Sequence, residues 1–371
     1  MKQFNKSSVI HHVFRCSVAV ATLSLLCLAA PSFGDDNSNH AYELHVLVSD
    51  GSVPADFTDP HLKNPWGVAF NPFGFDWVAN NHTGTSTLYD GLGQAFSLVV
   101  TIPGVNGEEV GEPTGIVYSG GSDFVVSDGV KQGPARFLFA GEDGTITGWS
   151  PEVNRNEAIV AVDNSAQHAV YMGIALGGNG TGHRLYAANF HSGHVEVYDG
   201  SFKQIFPPNA FNDPRLPAGY APFGIQNVNG DIVVTFARRL PDEDDEMTGQ
   251  GLGIVDLFDA DGRMISRIAS FGQLNAPWGI ALAPASFGRF GGALLVGNFG
   301  DGTINAYDMH RGTFLGKLRR SDGRPVQIDG LWGIAFGNGL LSQPTNTLYF
   351  AAGVNDEEGG AYGAITAHGA D

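Results

Sequence analysis

Cysteine is almost missing from this sequence. Only two occur in 371 residues, Cys16 and Cys27, and both lie among the first 34. Beyond that segment there is no thiol, which excludes disulfide staples, a thiolate metal site and a cysteine nucleophile. Stability must come from a packed core, which a chain of this length can build as one large repeat domain or two ordinary ones. Basic residues are also scarce. There are 20 Lys and Arg against 38 Asp and Glu, a formal net charge of −18. Such a field repels phosphate backbones and argues against nucleic acid as a partner. The one long apolar run is "VAVATLSLLCLAA", residues 18–30. Lys2, Lys6 and Arg15 precede it and "PSFG" follows it, which predicts a signal peptide over residues 1–34, removed on export. The run is short for a membrane span, and no second one follows. Leu25 and Leu26 stand before Cys27 where a lipid-attachment motif needs small residues, which argues against a lipoprotein. Several catalytic signatures are missing too: there is no strand–GxSxG–helix elbow and no HExxH helix. "GNGTG" at 178–182 lacks the lysine and following helix of a phosphate loop, and reads as a hairpin turn.

Glycine, by contrast, is abundant, with 52 residues. Six glycines sit in one recurring hexamer. "PWGVAF" begins at Pro65, "PTGIVY" at Pro113, "YMGIAL" at Tyr171, "PFGIQN" at Pro222, "PWGIAL" at Pro277 and "LWGIAF" at Leu331. Their glycines, Gly67, Gly115, Gly173, Gly224, Gly279 and Gly333, are spaced by 48 to 58 residues, a period that fits propeller blades. Within each hexamer bulky and small residues alternate, as on a strand with one crowded face. Innermost strands packed around an axis need such a face.

Each hexamer is followed by further strand-like segments, with turn residues such as "DG" between them. Second strands are read in "DWVAN", "DFVVSD", "RLYAAN", "DIVVTF", "ALLVGN" and "TLYFAA". Third strands follow in "TSTLYD", "ARFLFA", "HVEVYD", "LGIVDLFD", "TINAYD" and "YGAITA", and outer strands in "AFSLVV", "AIVAV", "FKQIF", "RMISRIA" and "TFLGKL". The pattern predicts an all-β fold: a six-bladed β-propeller of four-stranded antiparallel blades over residues 35–371. The sixth repeat stops after three strands. Its fourth is expected from "YELHVLV", residues 42–48, which would close the ring from the N-terminal side.

The stretches "DPHLKNPWGVAF", "WVANNHTGTSTLYDG", "FAGEDGTITGW", "ANFHSGHVEVYD", "GNFGDGTINAYD" and "NDEEGGAYGAI" touch every blade. On them the chain resembles NHL-type six-bladed propellers, and more closely a family of uncharacterised exported propeller proteins from bacteria with PEP-type C-terminal sorting. The resemblance implies the propeller fold and export, and carries no activity. The last residues, "AITAHGAD", lack the hydrophobic tail of that sorting signal, so a soluble, monomeric exported protein is expected.

In a propeller, the loop entering each inner strand and the loop leaving each second strand open on the same face. That face is expected to gather "DPHLKN", "NNHTGTS", "SDGVKQG", "NFHSGH", "RRLPDEDDEMTGQG", "NFGDG" and "GVNDEEGG" around one mouth of the channel. Asn80, Asp128, Asn189 and Asn298 fall at matching second-strand ends. They are read either as caps of their own turns or as oxygen ligands of a shared cation such as calcium. The candidate ligand-binding set is Asn80, Asn81, His82, Asp128, Asn189, His191, Asn298 and Asp301; the candidate metal set is Asp128, Asn189, Asn298, Asp356 and Glu357. Lactonase-type propellers hold their metal near the axis with Glu, Asn and Asp, and no inner-strand Glu here matches theirs. His61, His82, His191 and His194 are the imidazoles of a second metal reading, with exposed loop histidines as the simpler one. "PDEDDE", residues 241–246, lacks the ligand spacing of an EF-hand and reads as a solvated loop. "NDEEGG", residues 355–360, is the better cation candidate.

These observations predict a recognition scaffold that binds a protein, glycan or small molecule at the mouth. A calcium-dependent hydrolase, lyase or lactonase at that mouth, and a structural matrix component, are the rival classes.

Overall fold

The computed structural model describes residues 41–107, 110–241 and 243–368. The predicted signal peptide lies outside these residues.

Two strands, β1 (Tyr42–Ser49) and β2 (Phe57–Thr58), precede the first blade. Blade 1 is β3 (Pro65–Phe70), β4 (Asp76–Asn80), β5 (Thr85–Tyr89) and β6 (Val100–Thr101). Blade 2 starts with β7 (Pro113–Tyr118) and then detours through a separate hairpin, β8 (Val125–Ser127) and β9 (Gln132–Pro134). It resumes with β10 (Phe137–Gly141), β11 (Thr145–Trp149) and β12 (Ile159–Asp163). Blade 3 is β13 (Tyr171–Gly178), β14 (His183–Asn189), β15 (His194–Asp199) and β16 (Gln204–Ile205). Blade 4 is β17 (Tyr220–Val228), β18 (Asp231–Arg238), β19 (Ile254–Phe258) and β20 (Met264–Ser270). Blade 5 is β21 (Pro277–Leu282), β22 (Leu294–Asn298), β23 (Ile304–Asp308) and β24 (Thr313–Lys317). Blade 6 takes β25 (Leu331–Phe336), β26 (Leu348–Ala352) and β27 (Ala361–Ala367), its fourth strand is β1, and the two-residue β2 pairs parallel to β1 at the edge. The fold is a six-bladed β-propeller of antiparallel four-stranded blades.

The ring closes as the missing fourth strand required. β1 runs antiparallel to β27, with Tyr42 opposite Ala367 and Ser49 opposite Ala361. Leu47 and Val48 are buried, and Tyr42 is driven into blade 5, where its hydroxyl contacts the Phe287 carbonyl at 3.3 Å. Without β1 the edge of β27 would expose unpaired backbone.

The hexamers are the inner strands, and their glycines form a lock between blades. A Cβ built on Gly67 would strike Thr114 O and Ile116 of blade 2. Gly115 meets Ile174 in the same way, Gly173 meets Phe223 O, Gly224 meets Trp278 O, Gly279 meets Trp332 O, and Gly333 meets Trp66 O. The circle is complete. Each inner strand approaches the backbone of the next so closely that only glycine fits. The residue after each glycine, Val68, Ile116, Ile174, Ile225, Ile280 or Ile334, lines a narrow axial cavity of about 30 Å³. In every blade the ladder between first and second strand shifts register just after the hexamer's first residue, as between Pro65 and Val68, Pro277 and Ile280, or Tyr171 and Gly173. This bulge bends the strand where it meets the axis. The alternation expected from sequence therefore holds beyond the bulge: Ala69 packs with blade 2 and Val68 with Tyr349 and Tyr362 of blade 6.

Blade 2 corrects the strand assignment. "DFVVSD" was expected as its second strand, but it contributes to the β8–β9 hairpin. "ARFLFA" is the second strand and "TITGW" the third. "DFVVSD" does have strand character and does form a strand, only one paired outside the blade.

Candidate functional site

In five of the six hexamers the second residue is a large apolar side chain that packs at the mouth side of the axis, while Thr114 of blade 2 bonds to the Ala140 and Tyr171 carbonyls. Trp66, Met172, Phe223, Trp278 and Trp332 form one buried cluster, joined by Phe190 and Phe299. Trp66 stacks on Trp332 with ring centres 3.5 Å apart, and Phe299 stacks on Trp332 at 4.1 Å. Trp278 meets both indoles edge-on and donates across the axis to the Met172 carbonyl at 2.8 Å. The mouth thus has an aromatic floor rather than an open shaft.

Around this floor stands the residue after the second-strand partner of each hexamer's first position. In blades 1 to 6 it is Asn81, Glu142, Phe190, Ala237, Phe299 and Gly353, aligned by the pairing of Pro65 with Asn80, Pro113 with Gly141, Tyr171 with Asn189, Pro222 with Phe236, Pro277 with Asn298 and Leu331 with Ala352. Blades 3, 4 and 5 present apolar side chains. Blades 1, 2 and 6 present an amide, a carboxylate and a glycine.

The polar half is knitted together across blades. Asn81 donates to Glu142 Oε2 at 2.6 Å. Trp332 donates its indole N–H to Glu357 Oε1 at 3.1 Å. Asn64 Nδ2 lies 3.3 Å from His82 Nε2. Glu246 arrives on the long loop of blade 4, which folds back as Met247 N–H bonds to the Arg238 carbonyl. Burial pushes the Glu142 carboxyl up to about 8; Asn81 pulls against this, while Glu112, Glu357 and Asp245 add to it. Burial pushes Glu246 up to about 8 as well, reinforced by Glu357, Asp245 and Glu142. Glu357 is raised by burial and held back by hydrogen bonds from Asn64 and Trp332 and by His82. These are carboxyls that repel one another in a desolvated place. The backbone around Glu357 and Asn64 is strained too. Asn355, Asp356 and Glu357 are three successive residues with φ of 58°, 53° and 66°, and Asn64 has φ 42°. Left-handed non-glycine residues each cost on the order of 1–3 kcal/mol and persist where the surroundings fix them.

The residues expected from sequence separate into groups. Asn81, His82 and Glu357 lie in this polar half. Asn80, Asn189 and Asn298 end matching strands but commit their amides to their own blades. Asn80 donates to Thr85 and Thr87 hydroxyls at 3.2 and 3.0 Å. Asn189 accepts from Ser192 N–H and donates to Glu196 at 2.8 Å. Asn298 accepts from Asn275 N–H and donates to the Gln273 carbonyl at 2.8 Å. Asn80 makes no capping bond, Asn189 caps its turn, and Asn298 ties the loop before β21 to the turn after β22. Asp301 caps the same turn through Thr303.

Asp128 does not belong with them. It sits in the turn of the β8–β9 hairpin, which is inserted between first and second strands and therefore stands on the opposite face, where it accepts from Val130 and Lys131 N–H. Nearby, the Phe124 N–H bonds to the Gly200 carbonyl in the turn after β15. Asp356 is an exposed loop residue. The expected calcium set is thus scattered. Among the described residues no group of three His, Cys, Asp or Glu is placed to hold a metal ion. The four histidines do not converge either: His191 pairs with Asp244 at 2.8 Å, His194 lines a lateral groove between blades 3 and 4, and His61 caps a loop through its backbone. Sequence reasoning missed Glu142, because blade 2 was misaligned, and took Glu246 for part of a solvated run. Aligning "FAG" with "VAN" would have placed Glu142 beside Asn81.

Comparison with known proteins extends the picture. No family model matches the chain. An uncharacterised protein of Acanthamoeba polyphaga mimivirus, R648, is 32% identical over 341 residues, which is 90% of this chain and 82% of R648. A second mimivirus protein of uncharacterised role, L690, is 30% identical over 340 residues, 90% of this chain and 88% of its own. The chain belongs to their family. Among solved structures it is similar to virginiamycin B lyase from Staphylococcus aureus, with TM-score 0.51 and 14% identity over 88% of this chain and 99% of that one. It is also similar to a soluble aldose sugar dehydrogenase from Escherichia coli, with TM-score 0.52 and 13% identity over 88% of this chain and 100% of that one. At such identities the likeness shows the fold alone. The neighbours of this chain in fold include enzymes and a protein of unknown function.

Proposed function

We propose that the protein is an exported, NHL-type propeller that recognises a small ligand at the mouth where Asn64, Asn81, His82, Glu142, Glu246 and Glu357 meet. One observation carries the reading. Side chains from blades 1, 2, 4 and 6, far apart in sequence, converge over an aromatic floor at the one part of the ring where the blades stop resembling one another. The carboxyls are desolvated and the segment that presents Glu357 is strained, and neither feature serves ring closure. An apolar floor with a few convergent polar groups is the usual make-up of a ligand site. The test is a thermal-shift screen of small ligands against the wild type and Glu142→Gln and Glu357→Gln variants. Stabilising ligands whose effect is lost in the variants support the reading. Ligands that stabilise all three proteins equally, or a complete absence of hits, refute it.

The raised Glu142 and Glu246 favour a second reading, in which a carboxyl still protonated near neutrality acts as general acid in a hydrolase or lyase. Mass spectrometry of any captured ligand after incubation separates the two: unchanged mass means recognition, and a cleaved or eliminated product means catalysis.

A further inference from the structure

Basic side chains are scarce in this chain, yet five of the 20 fall within residues 311–324, on the way from blade 5 to blade 6. Three of them are committed. Arg311 pairs with Asp308 at 3.1 Å, Lys317 donates to the Thr303 hydroxyl at 3.1 Å, and Arg319 donates to the Gly323 carbonyl at 2.7 Å. Arg320 and Arg324 are left over. Among the described residues Arg320 makes no ion pair, and Arg324 has only a loose one, 3.7 Å from the exposed Asp322.

The backbone holds these two arginines side by side. Residues 318–326 form a hairpin, closed as the Gly323 N–H donates to the Arg320 carbonyl at 2.9 Å and the Arg320 N–H to the Arg324 carbonyl at 2.8 Å. Gly323 has φ 78°, a conformation that glycine adopts without strain. The hairpin enters an inner strand and so stands on the mouth face, where Gln327 bridges to Thr303 beyond β22. Arg320 and Arg324 are cross-strand neighbours, and like charges so placed repel each other. Both border one cavity of about 620 Å³ between blades 5 and 6, within the usual range for a small-molecule site. Arg320 also borders a smaller cleft beside Glu43, without pairing with it.

The rest of the wall narrows the ligand. Asp329 accepts the Asn355 N–H on one oxygen at 2.9 Å, and the Gln327 amide donates to the Asp301 carbonyl at 3.0 Å, which leaves an acceptor oxygen on each side chain. Phe299, stacked on Trp332, is the aromatic member of the wall. The cavity therefore combines paired cationic donors with carboxylate and amide acceptors. A phosphate group would bring its multiple charge against Asp301 and Asp329. A single carboxylate fits the planar guanidinium fork, and hydroxyls on the same ligand donate to the acceptors.

We propose that this cavity binds a carboxylated sugar, a uronic acid. Its carboxylate lies between the Arg320 and Arg324 guanidiniums, its hydroxyls donate to Asp329 and Gln327, and the apolar face of its ring meets Phe299. The site is distinct from the acidic half of the mouth and stands whether or not that half holds a ligand.

Ligand-observed NMR titration of the full protein tests it with three probes: D-glucuronic acid, its neutral counterpart D-glucose, and inorganic phosphate. Glucuronate is expected to bind at least about tenfold more tightly than glucose, the scale of one charge-assisted contact. Arg320→Gln and Arg324→Gln are each expected to weaken glucuronate by a similar factor while leaving glucose unchanged. Neither should lower the melting temperature, because both side chains are exposed. Glucose binding as tightly as glucuronate, or glucuronate binding equally to wild type and both variants, overturns the proposal. Phosphate that binds more tightly than glucuronate and displaces it shows a general anion site and overturns the sugar assignment. So does the absence of any glucuronate binding.

Discussion

Two rings of residues circle the axis, one on the inner strands and one at the ends of the second strands, and they follow opposite rules. In the first ring, Gly67, Gly115, Gly173, Gly224, Gly279 and Gly333 are the same residue six times, because each lies against the backbone of the next inner strand. In the second, Asn81, Glu142, Phe190, Ala237, Phe299 and Gly353 differ at nearly every blade. Closure imposes the same steric demand on all six blades and fixes the first ring. It makes no such demand on the second, which is free to be polar on one side and apolar on the other. In a repeat protein, then, the repeated positions explain the architecture, and the function is to be sought where the repeats diverge.

The largest effect is expected from breaking the ring itself. Deleting residues 42–49 removes the outer strand of blade 6 and the buried Tyr42, Leu47 and Val48, each large side chain worth about 1.5–3 kcal/mol of burial. A urea melt should show a midpoint lowered by several kcal/mol or loss of a cooperative transition. Next is Gly279→Val. The obstacle is the Trp332 carbonyl, part of a neighbouring backbone that cannot rotate away as a side chain could, so the loss should reach about 3 kcal/mol, the upper end for overpacking. An unchanged denaturation midpoint would show that the first ring is looser than the glycines imply.

The second ring is sharpened by pH. The folded-state value of Glu142, about 8, lies above its ordinary 4.5, so the folded protein binds the extra proton. Its contribution to stability is complete below about 4.5 and declines as pH rises towards about 8. Glu142→Gln removes the decline. Chemical denaturation should find the variant more stable than wild type by several kcal/mol at pH 8 and equal to it at pH 4. A smaller loss is expected for Asn298→Ala, about 1 kcal/mol by analogy with other side-chain caps, with ligand binding at the mouth intact. Asp128→Ala should be the mildest, with ligand binding unaltered and stability lowered by less than about 0.5 kcal/mol, because its turn is exposed and outside the blade ladder.

The contrast between the rings also explains what the sequence revealed. The hexamers were legible because one steric constraint writes the same glycine into every blade, and the closing strand was legible because blade 6 ran out of partners. "DFVVSD" misled because β8 has the composition of a strand, and composition does not say which sheet will accept it. That error moved Asp128 to the wrong face and hid Glu142. Glu246 was hidden differently. A run of acids looks the same whether or not one carboxyl is folded under the others, and only the contact between blades 2, 4 and 6 decides. Asn80, Asn189 and Asn298 do end matching second strands as expected, whereas Asp128, expected beside them, lies in the β8–β9 hairpin.

The pairing of β1 with β27 has a mechanical side. Tyr42 at the start of β1 lies opposite Ala367 at the end of β27, so both ends of the propeller leave the same end of one ladder. A force that pulls the two ends apart does not load all the strand's hydrogen bonds at once. It opens them one pair after another, from Tyr42–Ala367 towards Ser49–Ala361. The seam that contributes most to closing the ring should therefore resist stretching between its termini poorly. Attached by both ends, this propeller would unzip at blade 6 under a smaller force than its thermal stability suggests.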